Sequence, residues 1–219
     1  MLPSVIDSIL VLAVLLNLAM LATSRMSACI RTFALQSLLL ALLPIAIGLR
    51  HEAMPGAHTF LITAGAVGLK VFLIPWVLLR VLRTGEIHRE VEPFIGFTAS
   101  VMLGAVIIVA SFALAKGMPL PTEAATDLLV PVSIATLFNG LLMLVSRLKA
   151  ITQVIGYLVV ENGIFVFGLL LLEKTPVLVE LGISLDLFVA VFIMGIVVYH
   201  IRREFDHMDT NLLDALRES

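Results

Sequence analysis

The chain has 219 residues, of which 60% are apolar and 14% charged, and its mean hydropathy is +1.12. Soluble domains are about 45–50% apolar and about 25% charged, so this composition excludes an ordinary soluble domain. The net charge of −2 gives no reason to expect nucleic acid or an acidic substrate. A single cysteine excludes an internal disulfide and a protein-held iron–sulfur cluster, which needs about four ligands.

Seven apolar blocks are long enough for helices that cross a bilayer, which requires about 20 residues each. The first block lacks the basic N-terminal region of a cleavable signal, so we expect a permanent helix there. The sequence therefore predicts an all-α polytopic membrane protein with seven transmembrane helices. In chain order the predicted spans cover about residues 3–22, 31–49, 59–82, 94–115, 127–145, 151–172 and 177–199.

The basic residues predict the orientation of these spans. The segments after spans 1, 3, 5 and 7, counted together with Arg31 and Arg80 at the adjoining span ends, hold ten of the fourteen Lys and Arg residues, and those after spans 2, 4 and 6 hold three. The positive-inside rule then places the N-terminus outside and the C-terminus in the cytoplasm. The charged stretch 202–219 is either a solvated tail or a docking segment for a cytoplasmic partner.

Two constant offsets indicate an internal repeat. A Ser-Arg pair closes span 1 and recurs 122 residues later at the end of span 5, and the same offset aligns Asn17 with Asn139. An offset of 116 residues aligns Lys70 with Asp186. Spans 1–3 and 5–7 are therefore predicted to be a parallel repeat, with span 4 between them. The predicted regions are 1–92 with helices 1–3, 93–126 with the linking helix 4 and a loop, and 127–219 with helices 5–7 and a cytoplasmic tail.

Three ionisable residues fall near the middle of predicted spans: Lys70 in span 3, Glu161 in span 6 and Asp186 in span 7. A charged group at that depth costs on the order of 3 kcal/mol, so such residues are functional candidates by default. Burial favours the neutral form of both carboxylates and lysine, which suits groups that exchange protons. We predict a lateral proton relay through these three residues, bridged by water. The alternative is a buried ion pair that only fixes helix packing.

Further polar residues lie within the predicted spans, and each is either part of this path or a hydrogen-bonding contact between helices. Pro75 follows Lys70 by five residues and is expected to distort span 3 near the lysine. No haem-type histidine pair, zinc pattern or nucleotide-binding motif is present, so we predict no cofactor, no metal site and no catalytic centre in this chain. The supporting polar residues are Tyr157, Asn162, Ser184, Asn17, Asn139 and Gln36.

Four segments together resemble the hydrogenase-4 component E family: residues 156–163 (GYLVVENG), residues 70–75 (KVFLIP), Asp186, and residues 209–216 (DTNLLDAL). The resemblance extends over essentially the whole chain. It implies a multi-pass subunit in a prokaryotic cell membrane, within formate-hydrogenlyase-like and other complex-I-related assemblies. It also implies large antiporter-like partner subunits and a separate peripheral arm, hydrogenase-like or complex-I-like, that carries the redox chemistry.

The last three spans are also similar to the NuoK subunit of complex I and the MrpC subunit of cation/proton antiporters. The two intramembrane glutamates of that family align with Leu158 and Val189, whereas this chain has Glu161 and Asp186 three residues away. Positions three residues apart lie near the same helix face, so a relay is retained by analogy.

The leading hypothesis is a non-redox subunit of a proton-translocating oxidoreductase complex, with Lys70, Glu161 and Asp186 in its proton path. A static scaffold subunit and a stand-alone small secondary carrier are the alternatives.

Overall fold

The computed structural model describes residues 2–50, 64–65, 67–84, 94–118 and 126–170, and this part of the chain is helical. Predicted span 7, with Asp186 and Ser184, lies outside the described residues. The helices are α1 (Leu2–Ala22), α2 (Met26–Ala41), α3 (Leu43–Arg50), a π-helix (Val67–Leu73), α4 (Ile74–Thr84), α5 (Phe97–Ala115), α6 (Leu129–Ser146) and α7 (Ala150–Gly168).

Five helical stretches in the described residues are long and apolar enough to cross a membrane: Val5–Ala22, Met26–Leu49, Phe97–Ala115, Leu129–Ser146 and Ile151–Gly168. They correspond to predicted spans 1, 2, 4, 5 and 6, so the class of an all-helical membrane protein is confirmed. Span 2 starts at the residue after Arg25 and not at residue 31, because Arg31 lies exposed on the helix and does not end it.

The α6–α7 hairpin is the closest helix pair in the described structure, and glycines permit the approach. A Cβ atom on Gly140 would lie 2.5 Å from the backbone nitrogen of Val160, and one on Gly163 would lie 2.6 Å from that of Leu137. These contacts run in opposite directions along the two helices, so the pair is antiparallel. Small residues at such crossings replace the hydrophobic driving force that lipid cannot supply.

The core consists of two apolar clusters, one toward each end of the bundle. The first cluster joins the end of α1 and the start of α2 to α4 and the α6–α7 connection, and it includes Met20, Met26, Phe33, Leu78, Met143 and Leu158. The second cluster joins the start of α1 to α3, the start of α6 and the end of α7, and it includes Ile6, Leu10, Leu40, Leu43, Val132 and Val166.

The two junctions after α1 and after α6 have a similar backbone. Arg25 and Arg147 are both extended, with φ and ψ of −99° and 121° for Arg25 and −113° and 136° for Arg147. Arg25 is exposed, whereas Arg147 is buried, donates a 2.6 Å hydrogen bond to the Leu21 carbonyl and lies 5.0 Å from the Phe97 ring centroid. Burial lowers the pKa of the Arg147 guanidinium. Arg147 thus caps the carbonyl end of α1.

Candidate functional site

A layer of polar side chains separates the two apolar clusters. On each of α1, α2, α6 and α7, buried polar residues lie in sequence between residues of the first cluster and residues of the second. Because the helices alternate in direction, these residues meet at one depth near the middle of the bundle. We call this set, together with the buried Lys70, the polar layer; it consists of Asn17, Gln36, Ser37, Lys70, Thr136, Asn139, Glu161 and Asn162.

An ion pair forms the first half of the polar layer. The Nζ atom of Lys70 lies 3.3 Å from Oε1 of Glu161, and the two residues are only 6% and 4% exposed. Nζ also donates a 3.4 Å hydrogen bond to Oδ1 of Asn162 and lies 6.0 Å from the ring centroid of Phe165. A cation and an anion buried together in an apolar bundle stabilise each other, whereas either one alone would be an uncompensated buried charge.

The π-helix brings Lys70 to this position. Lys70 is the buried residue of the segment Val67–Leu73, while Phe72 on the same segment is exposed. The proline ring of Pro75 cannot fit against the carbonyl four residues earlier and supplies no N–H, so the preceding turn widens. The distortion expected from Pro75 therefore takes the form of a π-helix, a conformation that is frequent at functional sites.

Glu161 has unused acceptor capacity. Neither of its carboxylate oxygens accepts a well-aligned hydrogen bond from the described residues, although Oε1 faces the lysine. Buried carboxylates usually have such partners, so the arrangement suits a group that takes up a proton or contacts water. Asn162, the next residue, donates a 3.0 Å hydrogen bond from Nδ2 to Oγ of Ser37 on α2.

Uncharged residues form the second half of the layer. Gln36 donates from Nε2 to Oδ1 of Asn17 at 2.7 Å and to the Ala13 carbonyl at 3.1 Å. Asn17 in turn donates to Oγ1 of Thr136 at 3.0 Å, so this chain of hydrogen bonds joins α2, α1 and α6. Asn139 instead bonds the Ala135 carbonyl of its own helix, although the repeat aligns it with Asn17.

The structure brings together three of the predicted site residues, Lys70, Glu161 and Asn162. Asn17 and Asn139 lie in the same layer but outside this group, and Tyr157 is half-buried against the first apolar cluster. Asp186 and Ser184 lie outside the described residues, so their part in the path stays a prediction. Within the described ranges, no group of three or more His, Cys, Asp or Glu residues could hold a metal ion.

Sequence reasoning missed Ser37 and Thr136, which complete the two hydrogen-bonded groups. Ser37 follows Gln36 directly in the middle of a predicted span, and this pair of adjacent polar residues was the available signal. Leu158, the position that aligns with a glutamate in the NuoK-like family, is fully buried in the first apolar cluster. Glu161 lies almost one turn further along α7, in the polar layer.

Comparison with known proteins finds two kinds of relative. The chain is 30% identical over 194 residues to an uncharacterised protein of Mycobacterium tuberculosis, and the alignment covers 87% of this chain and 86% of that protein. It is 28% identical over 155 residues to hydrogenase-4 component E of Escherichia coli K12, covering 71% and 72% of the two chains. The chain is thus a homologue of hydrogenase-4 component E. The component E of Shigella flexneri matches to the same extent. No family model and no solved structure matches the chain.

Proposed function

We propose that this component E homologue is a membrane-arm subunit of a hydrogenase-4-like, complex-I-related assembly, and that its polar layer contributes to proton translocation coupled to a redox arm. The similarity to component E supports the assembly, because the relatives in Escherichia coli and Shigella flexneri are named as components of hydrogenase-4. The partners would be antiporter-like large membrane subunits and a peripheral arm that carries out the electron transfer, in a prokaryotic inner membrane.

The buried Lys70–Glu161 pair is the observation on which the proposal rests. A proton that moves from the lysine ammonium to the carboxylate converts an ion pair into two neutral groups. Low-dielectric surroundings tolerate both states, because each is free of an isolated charge. The pair can therefore exist in two forms of similar energy, and an electric field or conformational change in a neighbouring subunit can shift it between them.

Asp186 is the proposed next carrier. It lies in predicted span 7, which would return across the membrane directly after α7, and the 116-residue offset aligns it with Lys70. The path proposed runs laterally from Lys70 through Glu161 to Asp186, with water between the groups, in a seven-span subunit whose C-terminus is cytoplasmic.

The parallel repeat of spans 1–3 and 5–7 is also part of the proposal. It is supported by two extended arginines 122 residues apart, Arg25 between α1 and α2 and Arg147 between α6 and α7. In such a repeat, the hairpins α1–α2 and α6–α7 occupy equivalent positions and both contribute residues to the polar layer.

A static scaffold is the second candidate, and the uncharged half of the polar layer favours it. The side chains of Gln36, Asn17 and Thr136 tie three helices together by hydrogen bonds alone. Amide groups of this kind usually serve as contacts between membrane helices. If the Lys70–Glu161 pair has the same role, its removal would impair assembly but would not impair transport by complexes that still assemble.

The first experiment is purification of the tagged full chain from its native membrane in mild detergent, followed by mass spectrometry of the proteins that accompany it. We expect antiporter-like and hydrogenase-like or complex-I-like subunits. A chain that purifies alone, and transports as a monomer or homo-oligomer, would contradict the proposal and favour a small secondary carrier. Glu161→Gln introduced into the assembled complex then distinguishes conduction from scaffolding: conduction requires lost proton transport with assembly retained.

A further inference from the structure

Ser37 of α2 contacts the ion pair through one intermediate side chain. It is 3% exposed, and its Oγ accepts the 3.0 Å hydrogen bond from Nδ2 of Asn162. The other end of the same amide, Oδ1, faces Nζ of Lys70 at 3.4 Å. One hydroxyl therefore lies at the end of a short chain that begins at the lysine, and it comes from a different helix than either member of the ion pair.

The orientation of the Asn162 amide depends on both neighbours. A lysine ammonium has three donors and no acceptor, so it requires the amide oxygen to face it. A neutral amine has a lone pair and can accept a hydrogen bond from the amide nitrogen. The Ser37 hydroxyl accepts from the amide nitrogen, and this hydrogen bond favours the orientation in which the amide oxygen faces the lysine.

We propose that Ser37 is a positioning residue that holds the Asn162 oxygen toward Lys70 and so stabilises the charged lysine. While Asn162 donates to Ser37, its nitrogen is held away from Lys70, and a neutral lysine gains no hydrogen bond from it. The inference rests on the proposed function only in treating Lys70 as a group that gains and loses a proton.

Other charged or titratable groups lie on the elements that pack against the π-helix. They are Cys29 and Arg31 on α2, Arg80 and Arg83 on α4, and Tyr157 and Glu161 on α7. Glu161 is the member of this set that forms the ion pair with Lys70, and it is kept unchanged in every variant below. A change caused by Ser37 is therefore measured with the same carboxyl partner beside Lys70 in every variant.

The test is a pH titration of Lys70 in the full chain, labelled with ¹⁵N-lysine and reconstituted in lipid bilayers. The chain has four lysines, and the NMR signal that disappears in Lys70→Met identifies the one of interest. In Ser37→Ala the amide nitrogen loses its acceptor and is free to turn toward the lysine. One such hydrogen bond changes an equilibrium constant about fivefold. The titration midpoint of Lys70 should therefore fall by roughly half a pH unit to one unit.

Two further variants serve as controls. Ser37→Thr keeps the hydroxyl and should titrate close to the unsubstituted protein. Ser133→Ala removes another buried hydroxyl, one that within the described residues donates to the Val130 carbonyl of its own helix, and should leave the midpoint unchanged. An unchanged midpoint in Ser37→Ala, or a Ser37→Thr midpoint as low as that of Ser37→Ala, would overturn the inference.

The variant Asn162→Leu gives a second and independent measurement. It removes the amide, so adding Ser37→Ala to it should not shift the Lys70 midpoint further. A further shift would mean that Ser37 acts on the lysine by another route, which contradicts the inference. Because the titration needs neither partner subunits nor transport, its result is separate from the proposed function, which fails instead if Lys70→Met leaves proton transport by the assembled complex intact.

Discussion

Removal of one charge of the Lys70–Glu161 pair should lower the stability of the protein far more than removal of both. At 3.3 Å and an effective dielectric constant of about 20, the attraction between the two charges is about 5 kcal/mol, and it offsets the cost of burying them. Glu161→Gln or Lys70→Met leaves one buried charge without its partner, so each should lower the free energy of unfolding by about 3–5 kcal/mol. The double variant leaves no charge and should lie within about 2 kcal/mol of the unsubstituted protein.

The measurement is reversible unfolding of the full chain in mixed micelles at neutral pH, for the four members of this double-mutant cycle. The expected coupling energy between the two sites is about 3 kcal/mol or more, because the second substitution removes the penalty created by the first. If the double variant loses as much stability as the two single variants added together, the side chains act independently. The ion pair would then not be the feature that holds these helices at this depth.

Three other substitutions test the packing around the polar layer, each measured by the free energy of unfolding. Gly163→Ala places a Cβ against the backbone of α6 and should cost about 1–3 kcal/mol. Gly168→Ala on the same helix meets open space and should change stability little. Equal effects of the two variants would contradict the close contact between α6 and α7. Gln36→Leu removes two buried hydrogen bonds and should cost about 1–3 kcal/mol, and a neutral result would mean that this amide does not join α1 to α2. Arg147→Met removes a buried charged donor and should cost about 2 kcal/mol or more. Arg25→Met, at the exposed junction after α1, should be close to neutral. A larger loss of stability in Arg25→Met than in Arg147→Met would refute the capping role of Arg147.

The fold class was predictable because a membrane imposes one length and one composition on every spanning helix. The boundary of span 2 was not, since Arg31 was read as the end of a connecting segment although a lysine or arginine near a helix end extends to the interface without interrupting the helix. The widened turn at Lys70 was foreseen only in part. Pro75 predicts a distortion, but whether the distortion is a kink or a π-helix depends on packing between helices, which cannot be derived from the sequence alone.

The candidate site was predictable in composition more than in contacts. Lys70 and Glu161 are conspicuous because ionisable groups are rare in spans, and their burial restricts them to the protein interior. The partners of Asn162 were not predictable, because serine is common in membrane helices and Ser37 gains meaning only when α2 lies against α7. The same holds for Asn139, which was expected to be part of the path or a contact between helices and whose amide instead bonds its own helix.

The most direct test of the central claim uses the assembled complex reconstituted in proteoliposomes. The variant is Lys70→Met combined with Glu161→Gln, which the stability argument predicts to fold and assemble. We expect the redox arm to continue electron transfer while protons translocated per electron fall at least about tenfold, because the variant lacks both proton-exchanging groups. A ratio of protons to electrons equal to that of the unsubstituted complex would contradict the account and leave the pair a structural contact between helices.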